Sequence, residues 1–271
     1  MDELERIKNM TPEEQQAYLE TLQACEHDCS TCQQECSSKV QTPATVVLVV
    51  TGGKGGTGKT AISILLAKAI RKQGAAAAVL DADIACPAVP AMLGMKEPVL
   101  GDMPELQPVE SAGGIPVVSM GIIVEDPLEP VLWPGKDMAK LAVWLLKDTK
   151  WPEDLDVLII DMPSGAGDIP LEYYTTMPLD YALAVAEPGE LSSGALRRAI
   201  NLCDMLRVPV MGVVENFAEE DMEIAKSCET MPVVATLPYD GALRRAASRG
   251  TLDAYETDAL DYLARAVLEL R

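Results

Sequence analysis

From residue 45 onward the chain alternates short apolar runs with longer stretches whose apolar positions recur at helical spacing. Strands buried on both faces read as continuous apolar runs, whereas helices lying on such a sheet repeat every 3.6 residues or so. Strands are therefore expected over 45–51, 77–81, 115–119, 157–161, 181–186, 208–214 and 233–236. Helices fit 59–72, 137–147, 191–206, 221–227, 241–248 and 253–270. This order predicts an α/β class chain: a doubly wound, mostly parallel sheet with helices on both faces, binding its ligands beyond the carboxyl ends of the strands. Residues 1–40 break the pattern, with 9 acidic and 3 basic side chains and almost no β-branched residues, so they cannot supply a sheet core. Thr11, Pro12 and Glu14 read as a helix start, with Thr11 as cap and Glu14 completing a capping box. A short helix to about Ala24 then leads into a cysteine-rich stretch, and 37–44 reads as a linker. The expected division is a cysteine-bearing segment over 1–40 and one α/β domain over 41–271.

Composition narrows the partners. The 271 residues include 22 Lys and Arg against 42 Asp and Glu, a formal charge of −20 with pI near 4.4. Binding a polyanion needs a basic footprint, so neither nucleic acid nor an anionic membrane is expected as the main partner. With 3 Trp, 7 Tyr and 1 Phe the core has to be aliphatic. The acidic start lacks the features of a signal peptide, and no apolar run approaches the ~18 residues that span a bilayer, which predicts a cytoplasmic protein. Cytosolic thiols stay reduced, so the seven cysteines are not expected to pair as disulfides.

The strongest chemical signal follows the first strand. Gly53, Lys54, Gly55, Gly56, Thr57, Gly58, Lys59 and Thr60 satisfy G-x-x-x-x-G-K-[ST] between a strand and a helix, the setting of a phosphate-binding loop. Glycines let backbone N–H groups curl around phosphate oxygens, and the helix start adds the positive end of its dipole. Lys59 is expected on the β and γ phosphates of a nucleoside triphosphate and Thr60 on Mg²⁺. The strand at 157–161 ends in Asp161, the form of a second magnesium-site element. Residues 162–168 follow as a turn able to sense the γ-phosphate. Asp81 and Asp83 close another strand, and alternation would turn both toward one metal and water region.

Cys25, Cys29, Cys32 and Cys36 stand at i, i+4, i+7 and i+11. On a continuous helix that stripe would run about 16 Å, too long for four thiols to meet one metal. The residues between them are polar and offer no apolar face, so a turn around a metal explains them better than a buried stripe. A [4Fe-4S] cluster and Zn²⁺ both accept four thiolates, and the lone histidine, His27, could replace one.

Together these residues resemble the MinD/ParA/nitrogenase-iron-protein superfamily of P-loop ATPases, marked by the extra lysine of K-G-G-x-G-K-[ST], here Lys54 to Thr60. Within it the chain is similar to the Mrp family of iron–sulfur cluster carrier ATPases, through Leu80 to Ile84 with Pro87, Pro90 and Met92 to Gly94, then Trp133, Leu158 to Asp168, Arg197 to Asn201, Val208 to Asn216, and Leu237 to Gly250. The resemblance implies that Lys54 reaches across a homodimer to the partner's phosphates, that Asp83 positions water, and that Asp161 supports Mg²⁺. It implies that Asn216 recognises adenine and Pro238 packs on the base. It leans the cysteine segment toward iron–sulfur. The chain departs from the family pattern where a C-x-x-C is usual after the Asn-Met: here Asn216-Phe217 is followed by a single Cys228, two thiols per dimer, too few for a four-thiolate cluster. Ala85-Cys86 replaces Tyr-Gly before Pro87. The resulting expectation is a slow, Mg²⁺-dependent, dimeric ATPase that carries clusters to client apoproteins, as a homodimer or with a second subunit. The alternatives are a positioning ATPase of the ParA/MinD kind and a nucleotide-binding metal or redox sensor.

Overall fold

The computed structural model describes residues 44–95, 106–123, 135–165, 167–177, 179–218 and 231–271. The four clustered cysteines, His27, Trp133, Cys228 and the helices expected at 11–24 and 221–227 lie outside them.

Among the described residues eight strands form one sheet: β1 (Val46–Thr51), β2 (Ala77–Asp81), β3 (Val109–Glu110), β4 (Pro116–Val118), β5 (Val157–Asp161), β6 (Tyr181–Ala186), β7 (Val210–Ala218) and β8 (Val233–Pro238). Their order is β3-β4-β2-β5-β1-β6-β7-β8, parallel throughout except that β3 runs against β4. The helices are α1 (Lys59–Lys72), α2 (Val89–Leu93), α3 (Met120–Ile123), α4 (Gly135–Lys147), α5 (Asp168–Thr176), α6 (Glu190–Met205), α7 (Gly241–Arg249) and α8 (Asp261–Leu268). Side chains alternate across the strands, so the sheet feeds two cores. Leu48, Val50, Val79 and Ile159 pack with Ile62, Leu65 and Leu66 of α1 and Leu263 and Val267 of α8. Val47, Val49, Leu80, Leu158 and Ile160 pack with Leu145 of α4 and Tyr173 of α5. Central β1, β2 and β5 are buried along their whole length, which is why they read as unbroken apolar runs.

Three expectations need correction. The sixth long strand starts at Val210 rather than 208 and extends to Ala218. Arg207 turns left-handed, with φ 58°, and the Val208 amide bonds back to the Cys203 carbonyl at 2.9 Å, so Val208 belongs to the turn that closes α6. The helix expected over 253–270 is broken into a 3-10 turn (Leu252–Ala254) and α8. Lys68 of α1 reaches into the gap and donates to the carbonyls of Leu252, Asp253 and Tyr255 at 3.2, 2.6 and 2.5 Å. A continuous helix would have needed those carbonyls for its own ladder. The turn expected over 162–168 gives way to α5 from Asp168 onward, with Pro170 in the first turn, where its missing N–H costs nothing.

Candidate functional site

The loop between β1 and α1, the tail of β7, the segment after β2 and the face of α7 enclose a cavity of about 370 Å³. The loop enters under tight constraint. A Cβ on Gly53 would lie 1.9 Å from the Ala195 carbonyl oxygen of α6, so only glycine lets the backbone pass. Gly58 has φ +87°, and a Cβ there would meet the Asn216 amide nitrogen at 2.2 Å. Gly58 caps α1 with no side-chain acceptor, so that helix start supplies no carboxylate or hydroxyl of its own to its first amides. Gly55, Gly56, Lys59 and Thr60 line the cavity, while Thr57 turns inward and is buried.

Lys59 is the buried cation of this site, and Arg244 also lines the cavity. Lys59 is 8% exposed and its Nζ donates to the Lys54 carbonyl at 3.2 Å. Burial pushes its pKa down, opposed by the carboxylates of Asp161 and Asp83. Thr60 Oγ1 donates to Asp161 Oδ2 at 2.7 Å, and Ser63 Oγ lies 2.8 Å from Asp161 Oδ1 and 3.1 Å from the Lys59 carbonyl. Asp161 is 2% exposed. Burial raises its pKa to about 6, while the two hydroxyls and Lys59 pull the other way. Ser63 was not singled out in the sequence. Its position, one helical turn past Lys59 and flanked by apolar Ala61, Ile62, Ile64 and Leu65, is the signal that could have found it.

The two acids after β2 part ways. The strand stops at Asp81, so the alternation that would have aligned Asp81 with Asp83 does not continue. Asp81 is 1% exposed, and its carboxylate accepts from the Val89 amide at 3.1 Å, Ser119 Oγ at 2.9 Å and the Asp83 amide at 3.2 Å. Burial, reinforced by the Asp161 charge, holds its pKa well above the usual carboxylate range. Asp81 therefore ties β2 to α2 and to the end of β4, and Asp83 alone of the pair lines the cavity. Asp83 Oδ1 accepts from the Cys86 amide at 3.1 Å. Burial raises its pKa, countered by that amide and by Lys59.

At the opposite wall Asn216 is 2% exposed and donates through Nδ2 to the Thr57 carbonyl at 2.9 Å. That bond fixes which amide atom is oxygen and leaves Asn216 Oδ1 buried with no partner, as is Thr57 Oγ1. Buried polar atoms are rarely left unpaired, and of these two residues Asn216 lines the cavity. Pro238, expected against a base, closes β8 opposite Ala218, is exposed, and is not part of the lining. Lys54 is not part of the lining and pairs with Glu187 of the same chain, just beyond β6.

These groups can hold an anion on backbone amides and Lys59, and present the oxygens of Thr60 and Asp161 to a hard divalent cation. Among the described residues no group of three or more His, Cys, Asp or Glu could hold a metal by itself, so such a cation would complete its shell with phosphate and water. No helix among them is long and apolar enough to cross a membrane.

Known proteins place this arrangement. The family model described as ParA, NUBPL iron-transfer P-loop NTPase, matches residues 44–253. An iron–sulfur cluster carrier protein of Clostridium perfringens is 32% identical over 231 residues, covering 77% of this chain and 81% of the relative. One from Salmonella typhimurium is 36% identical over 184 residues, 67% of this chain, which spans about half that relative's length, 48%. Among solved structures, the Archaeoglobus fulgidus nucleotide-binding protein in complex with ADP superposes with TM-score 0.66 at 26% identity over 81% of this chain and 92% of that one. The Pyrococcus furiosus cell division ATPase MinD shares the fold, with TM-score 0.64 at 19% identity over 83% and 99%. The loop, its glycines and the match over 44–253 lead to one conclusion: the chain belongs to the ParA-type NUBPL iron-transfer family of P-loop NTPases.

Proposed function

We propose that this chain is a Mg²⁺-dependent ATPase that carries an iron–sulfur cluster to apoproteins, working as a dimer. The observation that supports it most is the pairing of Thr60 with Asp161 beside the glycine loop and Lys59, a set of oxygens and a buried cation suited to a metal-bound triphosphate. The orphaned Asn216 Oδ1, on a residue that lines the same cavity, fits a nucleotide there. Carrier function is taken from the family and the relatives that bear that name.

In this reading Lys59 leaves the Lys54 carbonyl for the β and γ phosphate oxygens, and amides of residues 55–60 hold the chain of phosphates. Thr60 Oγ1 and Asp161 would hold Mg²⁺, which would supply charge neutralisation at the phosphoryl oxygens. Asp83, at the cavity wall, orients the attacking water. Lys54 exchanges Glu187 for the phosphates of a partner's site. Cys25, Cys29, Cys32 and Cys36 hold the cargo, a [4Fe-4S] cluster, with Zn²⁺ as the competing occupant that metal analysis distinguishes.

Phosphate release under Mg-ATP tests this. Lys59→Ala should weaken nucleotide binding by about tenfold or more, since it removes the charge that faces the phosphates, whereas Asp83→Ala should bind normally and lose turnover by ~100-fold or more. An Asp83→Ala protein that hydrolyses ATP at the parent rate would remove Asp83 from the mechanism.

A further inference from the structure

Phe217 is the single phenylalanine of the chain, and its backbone is left-handed, with φ 58°. Arg207, the other non-glycine residue described with positive φ, ends a helix, where such a turn is ordinary. Phe217 sits at the end of a strand, where a bulky side chain rarely takes this conformation. The pairing register explains how it arises. Asn216 faces Leu237 and Ala218 faces Pro238, so Phe217 is an extra residue bulged out between them.

The bulge has a chemical result. Strict alternation would put Asn216 and Phe217 on opposite faces of the sheet. Instead both line the cavity. The Phe217 Cζ lies 3.7 Å from where a Cβ on Gly58 would stand, so the ring covers the loop at the start of α1. Tyr239 faces it from beyond β8, ring centroids 6.3 Å apart at 47°. Tyr239 is 56% exposed and Phe217 half-buried, so the pair forms a lip open to solvent rather than part of either core. Arg244 extends the lip, its Nη1 3.4 Å from the Tyr239 hydroxyl. Strained backbone that survives at the edge of a binding cavity points to a use for the side chain it aims.

We infer that Phe217, supported by Tyr239, is the surface on which the nucleobase stacks. Every base has a π-face, so stacking adds affinity for any nucleotide, and the buried Asn216 acceptor beside the ring favours a base that offers an N–H there. The inference rests on the nucleotide reading of the cavity.

The test is competition against a fluorescent nucleotide on the full chain with Mg²⁺, comparing ATP with inorganic tripolyphosphate. Phe217→Ala should lose about 5- to 50-fold in ATP affinity, the scale of aromatic stacking on a base, and leave tripolyphosphate unchanged. Phe217→Gly suits φ near +58°, so it should melt at or above the parent temperature yet show the same loss. Phe217→Tyr should restore ATP binding. Unchanged ATP affinity in Phe217→Gly, or an equal loss for tripolyphosphate, would overturn the stacking role. A parent protein that binds neither ligand would overturn the nucleotide site itself, a distinct result.

Discussion

Asp161 shows how one buried carboxylate carries a stability cost and a ligand position together. Burial raises its pKa to about 6 despite the hydroxyls of Thr60 and Ser63. In the unfolded chain the group titrates near 4, so between about pH 4 and 6 the folded state binds more protons and stability falls as pH rises. Asp83 and Asp81 shift in the same direction. Asp156 and Asp240 shift the opposite way, so their contribution is present above pH ~4 and is lost only as pH falls further. Without Mg²⁺ or nucleotide, Asp161→Asn should therefore gain melting temperature relative to the parent as pH rises from 4 to 7. A difference that stays flat over that range would show that Asp161 does not titrate there. In the parent, Mg²⁺-dependent nucleotide binding should strengthen over the same window, because a hard cation requires the ionised carboxylate.

At the scale of elements, the C-terminal stretch shows a long-range contact overriding local pattern. Its apolar positions support one helix, yet Lys68 collects three carbonyls in the gap before α8. Lys68 stands nine residues into α1, about 13 Å along the axis from the phosphate-binding end. Lys68→Met should lower unfolding free energy by roughly 1–3 kcal/mol through the carbonyls it leaves less satisfied. Nucleotide affinity should not change. Denaturant melts and ATP titration check both parts, and a variant as stable as the parent would show that water replaces the ammonium without cost.

For the whole molecule, the strand order brings the tops of β1, β2, β5 and β7 to one region, and this is why residues more than 150 positions apart share a cavity. Lys54 stands outside the cavity lining, partly exposed and held by Glu187. An exposed pair of this kind is worth at most about 1 kcal/mol, little enough for a partner's phosphates to displace. Lys54→Ala should keep nucleotide binding in the monomer and lose the effect of ATP on assembly, read by light scattering. An ATP-responsive dimer in that variant would remove the cross-subunit role. Deleting residues 1–40 should abolish iron and sulfide after anaerobic reconstitution and leave a folded ATPase, while Cys228→Ser should change metal content little. Full cluster occupancy in the truncated protein would move the cargo site into the α/β domain.

The sequence by itself determined whatever depends on local pattern. Continuous apolar runs marked β1, β2, β5 and β6 because strands covered on both faces have no polar side to show. The glycine loop, Lys59 and Thr60 were legible because phosphate binding demands fixed types at fixed offsets, and Asp161 because it ends an apolar strand. Tertiary structure decided what depends on who the neighbour is. Asp81 and Asp83 are alike as residues, and only the end of β2 with the donors of Val89 and Ser119 turns one into a tie and leaves the other in the cavity. Phe217 would point to the wrong face by alternation, and a bulge set by pairing with β8 turns it inward. The partner of Lys54 lies 133 residues away and the carbonyls that Lys68 collects up to 187, where no local pattern reaches.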